Sequence, residues 1–150
     1  MSYELRSIGT VQHSTDGCTI ILDPEYADAL VLLDRFSHVY VVWWAHKHDT
    51  EESRAYRQTE PPYAPGKTHG IFATRAEYRP NPIAMTVCEL LAVDVAGGAI
   101  RIRNIDAVDA TPVVDIKPYY PVCDRVRNAR VPEWLSDWPA WFPDEGFGLD

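Results

Sequence analysis

Positive charge is scarce in this chain of 150 residues: 14 Lys plus Arg stand against 22 Asp plus Glu, a formal net charge of −8. Such a balance argues against a broad grip on nucleic-acid backbone, which shows as a basic surface and a high pI, and leaves room only for local basic patches. Cysteine is scarce too. Cys18, Cys88 and Cys123 are odd in number and have no CxxC or Cys/His spacing, so neither a disulfide framework nor a structural metal is expected, and the thiols fit a reducing compartment. Long hydrophobic runs are missing. The stretch 39–45 is far below a membrane span, and the start Met1-Ser2-Tyr3-Glu4-Leu5-Arg6 has no apolar signal core. These absences predict a soluble, cytoplasmic protein without a membrane partner. Neither GxGxxG nor GxxxxGK[ST] occurs, which argues against a doubly wound dinucleotide fold or a P-loop, and serine-hydrolase and zincin motifs are absent as well.

With 46% apolar and 24% charged residues the composition is ordinary for one globular domain. Twelve prolines are too many for a helical bundle. Residues 3–11 read as a short strand running into a polar loop at 12–17. Asp23-Pro24 is an N-cap followed by proline at the first helical position, and Tyr26, Ala29, Leu30 and Leu33 recur with helical spacing, which predicts one short helix ending near Asp34-Arg35. Residues 36–46 are β-branched and aromatic on both faces and predict a central, covered strand. The polar, proline-rich stretch 48–67 predicts a long irregular insertion, followed by a strand at Gly70-Ile71-Phe72. Residues 83–95 alternate, with Ile83, Met85, Val87, Leu91 and Val93 on one face, and lead through Ala96-Gly97-Gly98 into 99–105 as a hairpin. The expected fold is mostly β: a small antiparallel β-barrel or sandwich over residues 1–130, then an irregular C-terminal tail, 131–150. Trp134, Trp138 and Trp141 in that tail are expected to dock on the sheet or on a partner subunit.

Two polar turns interrupt the apolar strands. Between Phe72 and Ile83, Arg75 and Arg79 flank a rigid Pro80-Asn81-Pro82 turn and offer forked donors suited to a carboxylate or phosphate; the same residues also suit a tight turn with surface ion pairs. Between Asn104 and Tyr119, the carboxylates Asp106, Asp109 and Asp115 lie close in sequence to Lys117. They could hold ribose hydroxyls or take a proton from an amine, or serve as turn caps and as an Asp115–Lys117 pair on a strand face. His46 and His48 would share a strand face at a metal-compatible spacing, but no third ligand stands at a recognisable distance, and no metal is expected.

The strings Gly70-Ile71-Phe72-Ala73-Thr74-Arg75, Tyr78-Arg79-Pro80-Asn81-Pro82-Ile83 and Asp109-Ala110-Thr111-Pro112-Val113-Val114-Asp115-Ile116-Lys117-Pro118-Tyr119 closely resemble the TsaA-like family, also called TrmO, YaeB or VirR. Ile8-Gly9-Thr10-Val11 and Phe36-Ser37-His38-Val39 agree, so the resemblance covers about residues 5–125 in the family's order. It implies a β-barrel methyltransferase that binds S-adenosyl-L-methionine, as a homodimer, and methylates the exocyclic nitrogen of a modified adenosine next to a tRNA anticodon. Carried over by position, cofactor contacts fall on Ala45, His46, Arg75, Met85, Ile105, Asp106, Ala107 and Val108, while Phe72, Thr74, Arg79 and Asn81 shape the pocket. In this reading Arg75 takes the cofactor carboxylate, Phe72 or Met85 contacts the adenine or sulfonium, and Asp106 holds the ribose. Asp115, held by Lys117, is the candidate base or orienting group. A small-molecule methyltransferase and a non-catalytic adenosylmethionine sensor are the competing readings. Three departures stand out. The family's Pro-Gly segment after the first strand is missing at 13–18, its Asp-Gly-Thr-Pro has become Asp109-Ala110-Thr111-Pro112, and the chain runs from Arg125, Arg127 and Arg130 into an acidic tail where longer bacterial members carry an extension.

Overall fold

A computed structural model describes residues 1–143; the acidic stretch 144–150 singled out in the sequence lies outside the described residues. Eight strands follow in chain order: β1 (Gly9–Ser14), β2 (Gly17–Leu22), β3 (His38–Trp44), β4 (Gln58–Thr59), β5 (His69–Gly70), β6 (Ile83–Asp94), β7 (Ala99–Ile102) and β8 (Pro112–Pro118). Six of them close an antiparallel barrel in the order β1-β2-β7-β6-β3-β8, and β4 pairs with β5 outside it. Closure leaves the barrel strands no open edge. The expected barrel is therefore present.

Alternation builds the interior. Val39, Val41 and Trp43 on β3, Val11 on β1, Cys18, Ile20 and Leu22 on β2, and Ile100 and Ile102 on β7 point inward, and Val113 of β8 completes the ring. The intervening residues of β3, His38, Tyr40, Val42 and Trp44, face outward and are half-buried. β3 is therefore a barrel wall with one outer face rather than a strand covered on both sides. Close approach of β1 and β2 demands Gly9, because a Cβ there would overlap the Ile21 carbonyl oxygen.

Several local expectations change. Residues 23–35 form two 3₁₀ segments, Pro24–Leu30 and Leu33–Arg35, instead of one α-helix. Leu32 between them has φ 70°, which breaks the helical run. Only α1 (Glu51–Arg54) and α2 (Pro121–Asp124) are α-helical among the described residues. The loop expected at 12–17 is shorter, since β1 continues to Ser14 and turns at 15–16. Gly70-Ile71-Phe72 leaves β5 at once for a 3₁₀ turn, Ile71–Ala73. A bulge between Leu90 and Ala92 changes the register of β6 against β7, so Val93 packs on the core while Ile83, Met85 and Leu91 are exposed. The five residues do not share one face.

Candidate functional site

The C-terminal end of β3 and the N-terminal ends of β6 and β8 meet at one rim, as the pairs Trp44–Ile83 and Trp43–Val113 show. The chain after β7 runs along β6 toward that rim: the Arg103 N–H donates to the Glu89 carbonyl, 3.1 Å, level with the start of β3, and Asp106 meets Thr86, three residues from Ile83. Ile105 and Ala107 are buried among the core residues, so the backbone of 105–108 and the side chains of Asp106 and Val108 are what this segment presents outward.

Asp106 is held from inside the barrel. The Trp43 indole N–H donates to Thr86 Oγ1 at 3.0 Å, and the Thr86 hydroxyl in turn donates to Asp106 Oδ1. Trp43 is buried, so the carboxylate takes its orientation from the core. A hydroxyl whose lone pair is already engaged by a buried N–H is a directed donor. Asp109 is pinned differently. It accepts the His13 backbone N–H at 2.8 Å, and the His13 ring Nε2 lies 2.7 Å from the Ala107 carbonyl oxygen. Neither acid serves the local turn cap that sequence spacing allowed. The β1–β2 hairpin thus fastens 107–109 through His13.

On the outer face, Val42 pairs with Met85 on one side and Asp115 on the other, and Tyr40 pairs with Val87 and Lys117. Met85, 45% exposed, and Asp115 and Lys117 therefore share the outside of one three-stranded wall. Lys117 Nζ lies 2.8 Å from Asp115 Oδ2, and Asp115 Oδ1 accepts the Ile116 N–H at 2.9 Å. The hydrogen bond that Lys117 donates to Asp115, reinforced by the carboxylate's charge, raises the Lys117 pKa, so the ammonium stays charged. Burial raises the Tyr40 phenol, Asp124 and Tyr119 add to that, and the positive charge of Arg75 opposes it.

The two arginines of the 72–83 turn have separate roles. Arg79 Nη1 donates to the carbonyls of Thr74 and Ala76, at 3.0 and 3.1 Å, and so is spent on the loop itself. Thr74, buried, donates to the Ile71 carbonyl at 2.8 Å and accepts the Ala76 N–H at 3.3 Å. Arg75 is exposed and makes no ion pair or hydrogen bond among the described residues. Asn81 is tied to a residue that sequence reasoning passed over. Arg54 donates to the Pro80 carbonyl at 2.9 Å, to Asp49 at 3.0 Å and to Asn81 Oδ1 at 3.3 Å, and its guanidinium lies over the Trp44 ring. Phe72, 82% exposed, covers nothing.

His46 and His48 do not share a strand face. They lie in a 3₁₀ turn, His46–His48, that follows β3; His48 Nε2 reaches Glu77 at 3.3 Å and its ring packs near Tyr78. No group of acid, histidine and cysteine side chains suited to a metal occurs among the described residues. His46 Nδ1 is buried without a hydrogen-bond partner, an unusual state that calls for a ligand or water.

The site residues thus divide across one wall. Asp106, Thr86 and 105–108 close the barrel mouth; Arg75, Met85, Asp115 and Lys117 belong to the outside; Ala45, buried, and His46 stand at the strand end between them. Thr86, Trp43, His13 and Arg54 were missed from sequence. Thr86 alone left a signal, a hydroxyl at an inward position between Ala84 and Cys88.

A family model described as the tRNA-methyltransferase O N-terminal domain matches residues 9–125. A protein of Methanothermobacter thermautotrophicus, named a probable S-adenosyl-L-methionine-binding protein, is 40% identical over 113 residues, 75% of this chain and 77% of its own. A tRNA (adenine(37)-N6)-methyltransferase of Escherichia coli is 35% identical over 127 residues, 83% of this chain and 53% of its own. The human protein of that name is 38% identical over 113 residues, but the chain spans only 24% of it. The crystal structure of TrmO from Pseudomonas aeruginosa superposes with a TM-score of 0.67 at 28% identity, over 87% of this chain and 62% of that one. With most of its length matched by that domain, the chain belongs to the tRNA-methyltransferase O N-terminal domain family.

Proposed function

We propose that the protein is an S-adenosyl-L-methionine-dependent methyltransferase whose acceptor is the exocyclic nitrogen of an adenosine next to a tRNA anticodon. Beyond its family, what supports this reading most is a set of polar groups left for a ligand: the unpaired Arg75 guanidinium, the orphaned His46 Nδ1 and the core-oriented Asp106. Their chemistry fits adenosylmethionine. A guanidinium fork takes a carboxylate, a fixed aspartate takes a ribose diol, and Met85 and Phe72 offer apolar contact to an adenine or a sulfonium.

When bound, the cofactor supplies a methyl group activated by its positive sulfur. The chain's own residues align the partners, which is the main requirement of an in-line displacement. Arg79 and Arg54 hold the 72–83 turn from which Arg75 projects, and His13 fixes the 107–109 backbone. Asp115 accepts the hydrogen of the acceptor nitrogen through Oδ2, and Lys117, paired with it at 2.8 Å, orients that carboxylate. The barrel and its loops, 1–130, form the methyl-transfer unit, with 131–150 as an appended segment. A homodimer is part of this reading, and exposed Ile83 and Leu91 on β6 are apolar side chains that a second copy could cover. A tRNA acceptor makes the cytoplasm the place of action.

Calorimetry with adenosylmethionine, together with a methylation assay on total tRNA and on a metabolite extract, tests the proposal. Cofactor binding with methylated tRNA supports it. Absence of binding overturns it, and methylation of an extract component alone moves the acceptor to a small molecule. Arg75→Ala removes cofactor binding, whereas Asp115→Asn keeps binding and lowers turnover; full turnover in Asp115→Asn refutes the base. A monomer in sedimentation at micromolar concentration refutes the dimer.

A further inference from the structure

Beyond the matched domain the chain turns into a segment unlike the rest of this acidic protein. Arg125, Arg127 and Arg130 follow one another within six positions, all exposed, and Arg127 and Arg130 make no ion pair among the described residues. Trp138 is 55% and Trp141 70% exposed. The Arg125 guanidinium lies 5.4 Å from the Trp141 ring centroid, which stiffens that indole and leaves its other side open. Trp138 packs against Tyr63 with the two rings steeply inclined, 5.2 Å between centroids, and more than half of the indole stays exposed. Glu133 and Asp137 are the acids of this stretch of chain, so the arginines and indoles stand among few negative charges.

Soluble surfaces seldom leave two indoles this bare, and aromatic faces interleaved with unpaired arginines are what unpaired nucleotides bind. The segment also leads to the candidate site. Phe142 packs against His38, 5.8 Å between centroids, at the start of the outer face of β3 that carries Tyr40, with Lys117 as its register partner. We infer that residues 125–142 form a base-stacking platform for the unpaired nucleotides of an RNA loop, with Trp138 and Trp141 as the stacking faces and Arg127 and Arg130 on the phosphates. This rests on the reading of tRNA as the acceptor. It explains how a chain of net charge −8 holds RNA, because the positive potential is needed only where the strand lies.

The test uses the full chain with an anticodon stem-loop RNA and a blunt duplex of the same stem, followed by fluorescence anisotropy and by tRNA methylation. Trp138→Ala with Trp141→Ala weakens stem-loop binding at least tenfold, raises KM for tRNA and leaves adenosylmethionine affinity unchanged. Arg127→Gln with Arg130→Gln, exposed positions that cannot unfold the barrel, lowers the salt slope of log Kd by about 1.4. Equal affinity for stem-loop and duplex, or unchanged KM and Kd in both double variants of an enzyme that methylates tRNA, overturns the platform and leaves the methyltransferase reading intact. Binding of adenosylmethionine without any RNA affinity overturns the platform and the tRNA acceptor together. Tryptophan-dependent stem-loop binding without methyl transfer supports the platform against the enzyme reading. If the tryptophan variant changes the sedimentation coefficient and not the RNA affinity, the indoles are a subunit contact and the inference falls.

Discussion

Replacing Ala110 by glycine should stabilise the protein. Ala110 keeps a left-handed backbone, φ 63°, a conformation that favours glycine. Its neighbours impose that conformation. The Ala110 N–H donates to the Val11 carbonyl at 2.8 Å, the Val11 N–H donates to the Thr111 carbonyl at 3.0 Å, and the Thr111 hydroxyl holds the Val108 carbonyl at 2.7 Å. An L-residue pays about 1–2 kcal/mol in this region because its Cβ crowds the following carbonyl. Glycine removes that strain but adds freedom to the unfolded chain, at about 0.5–1 kcal/mol. The methyl is exposed, so no packing is lost. The net gain is about 0.5–1 kcal/mol, and for a chain of this length that raises Tm by about 2–3 °C. Thermal unfolding of Ala110→Gly beside Ala92→Gly, an exposed β6 position with ordinary φ, measures it. The control should fall and Ala110→Gly should rise. If both fall alike, residue 110 is not left-handed in solution, and the turn that carries Asp109 differs from the one described.

The division between the two arginines predicts opposite phenotypes. Arg79→Gln leaves the Thr74 and Ala76 carbonyls without their donor and should cost about 1–3 kcal/mol in denaturant unfolding, whereas Arg75→Gln should leave the midpoint in place and weaken adenosylmethionine binding at least tenfold. A stability loss in Arg75→Gln equal to that in Arg79→Gln would contradict this. Thr86→Val strands the Trp43 indole N–H and frees Asp106; it should lower both stability and adenosylmethionine affinity, while Thr86→Ser restores affinity, and equal affinity in Thr86→Val removes Asp106 from the ligand. Burial pushes the Cys18 thiol up to about 11 and the Cys88 thiol higher, while Cys123 is exposed. Ellman's reagent should therefore label one thiol in the native protein and three in denaturant. Below pH 9 the two buried thiols are protonated whether the chain is folded or not. Above it the unfolded chain releases protons that the folded one keeps, so stability falls as pH rises through that range; a flat profile from pH 8 to 10 counts against it.

How much of this was legible in the residues depends on the range of the forces involved. The barrel was readable because alternation along 38–44 and 99–102 is local, and strand sterics make it periodic. The 3₁₀ form of 24–35 was not, because the Leu30–Leu33 stripe suits either helix and the deciding event is the left-handed turn at Leu32. Bulges were invisible for the same reason: the shift at Leu90/Ala92 that turns Val93 inward depends on the partner strand. Within the site, motif strings located the turns, but which arginine is free depended on where the Thr74 and Ala76 carbonyls point. His13 and Arg54 reach the site across 94 and 26 positions of chain, and no local pattern records contacts of that span.

The wall shared by β3 and β6 accounts for why the site residues occur as neighbours in sequence yet act on different sides. Successive strand residues point to opposite faces, so Met85 and Thr86 deliver one side chain to the outer surface and one to the barrel mouth. Polar groups on the inner side can be oriented by the core, as Trp43 and Thr86 orient Asp106, while groups on the outer side, such as Asp115 and Lys117, must hold one another. Orientation from the core costs little flexibility and suits a part that must stay fixed. Mutual orientation at the surface tolerates a moving partner. Under the proposed function, Asp106 at the mouth is thus the fixed contact to the cofactor, and Asp115 with Lys117 is the pair that meets the acceptor. The loop 72–83 that carries the exposed Arg75 is held at its base by Arg79, Arg54 and Thr74, so a charge without a partner of its own still projects from a fixed backbone.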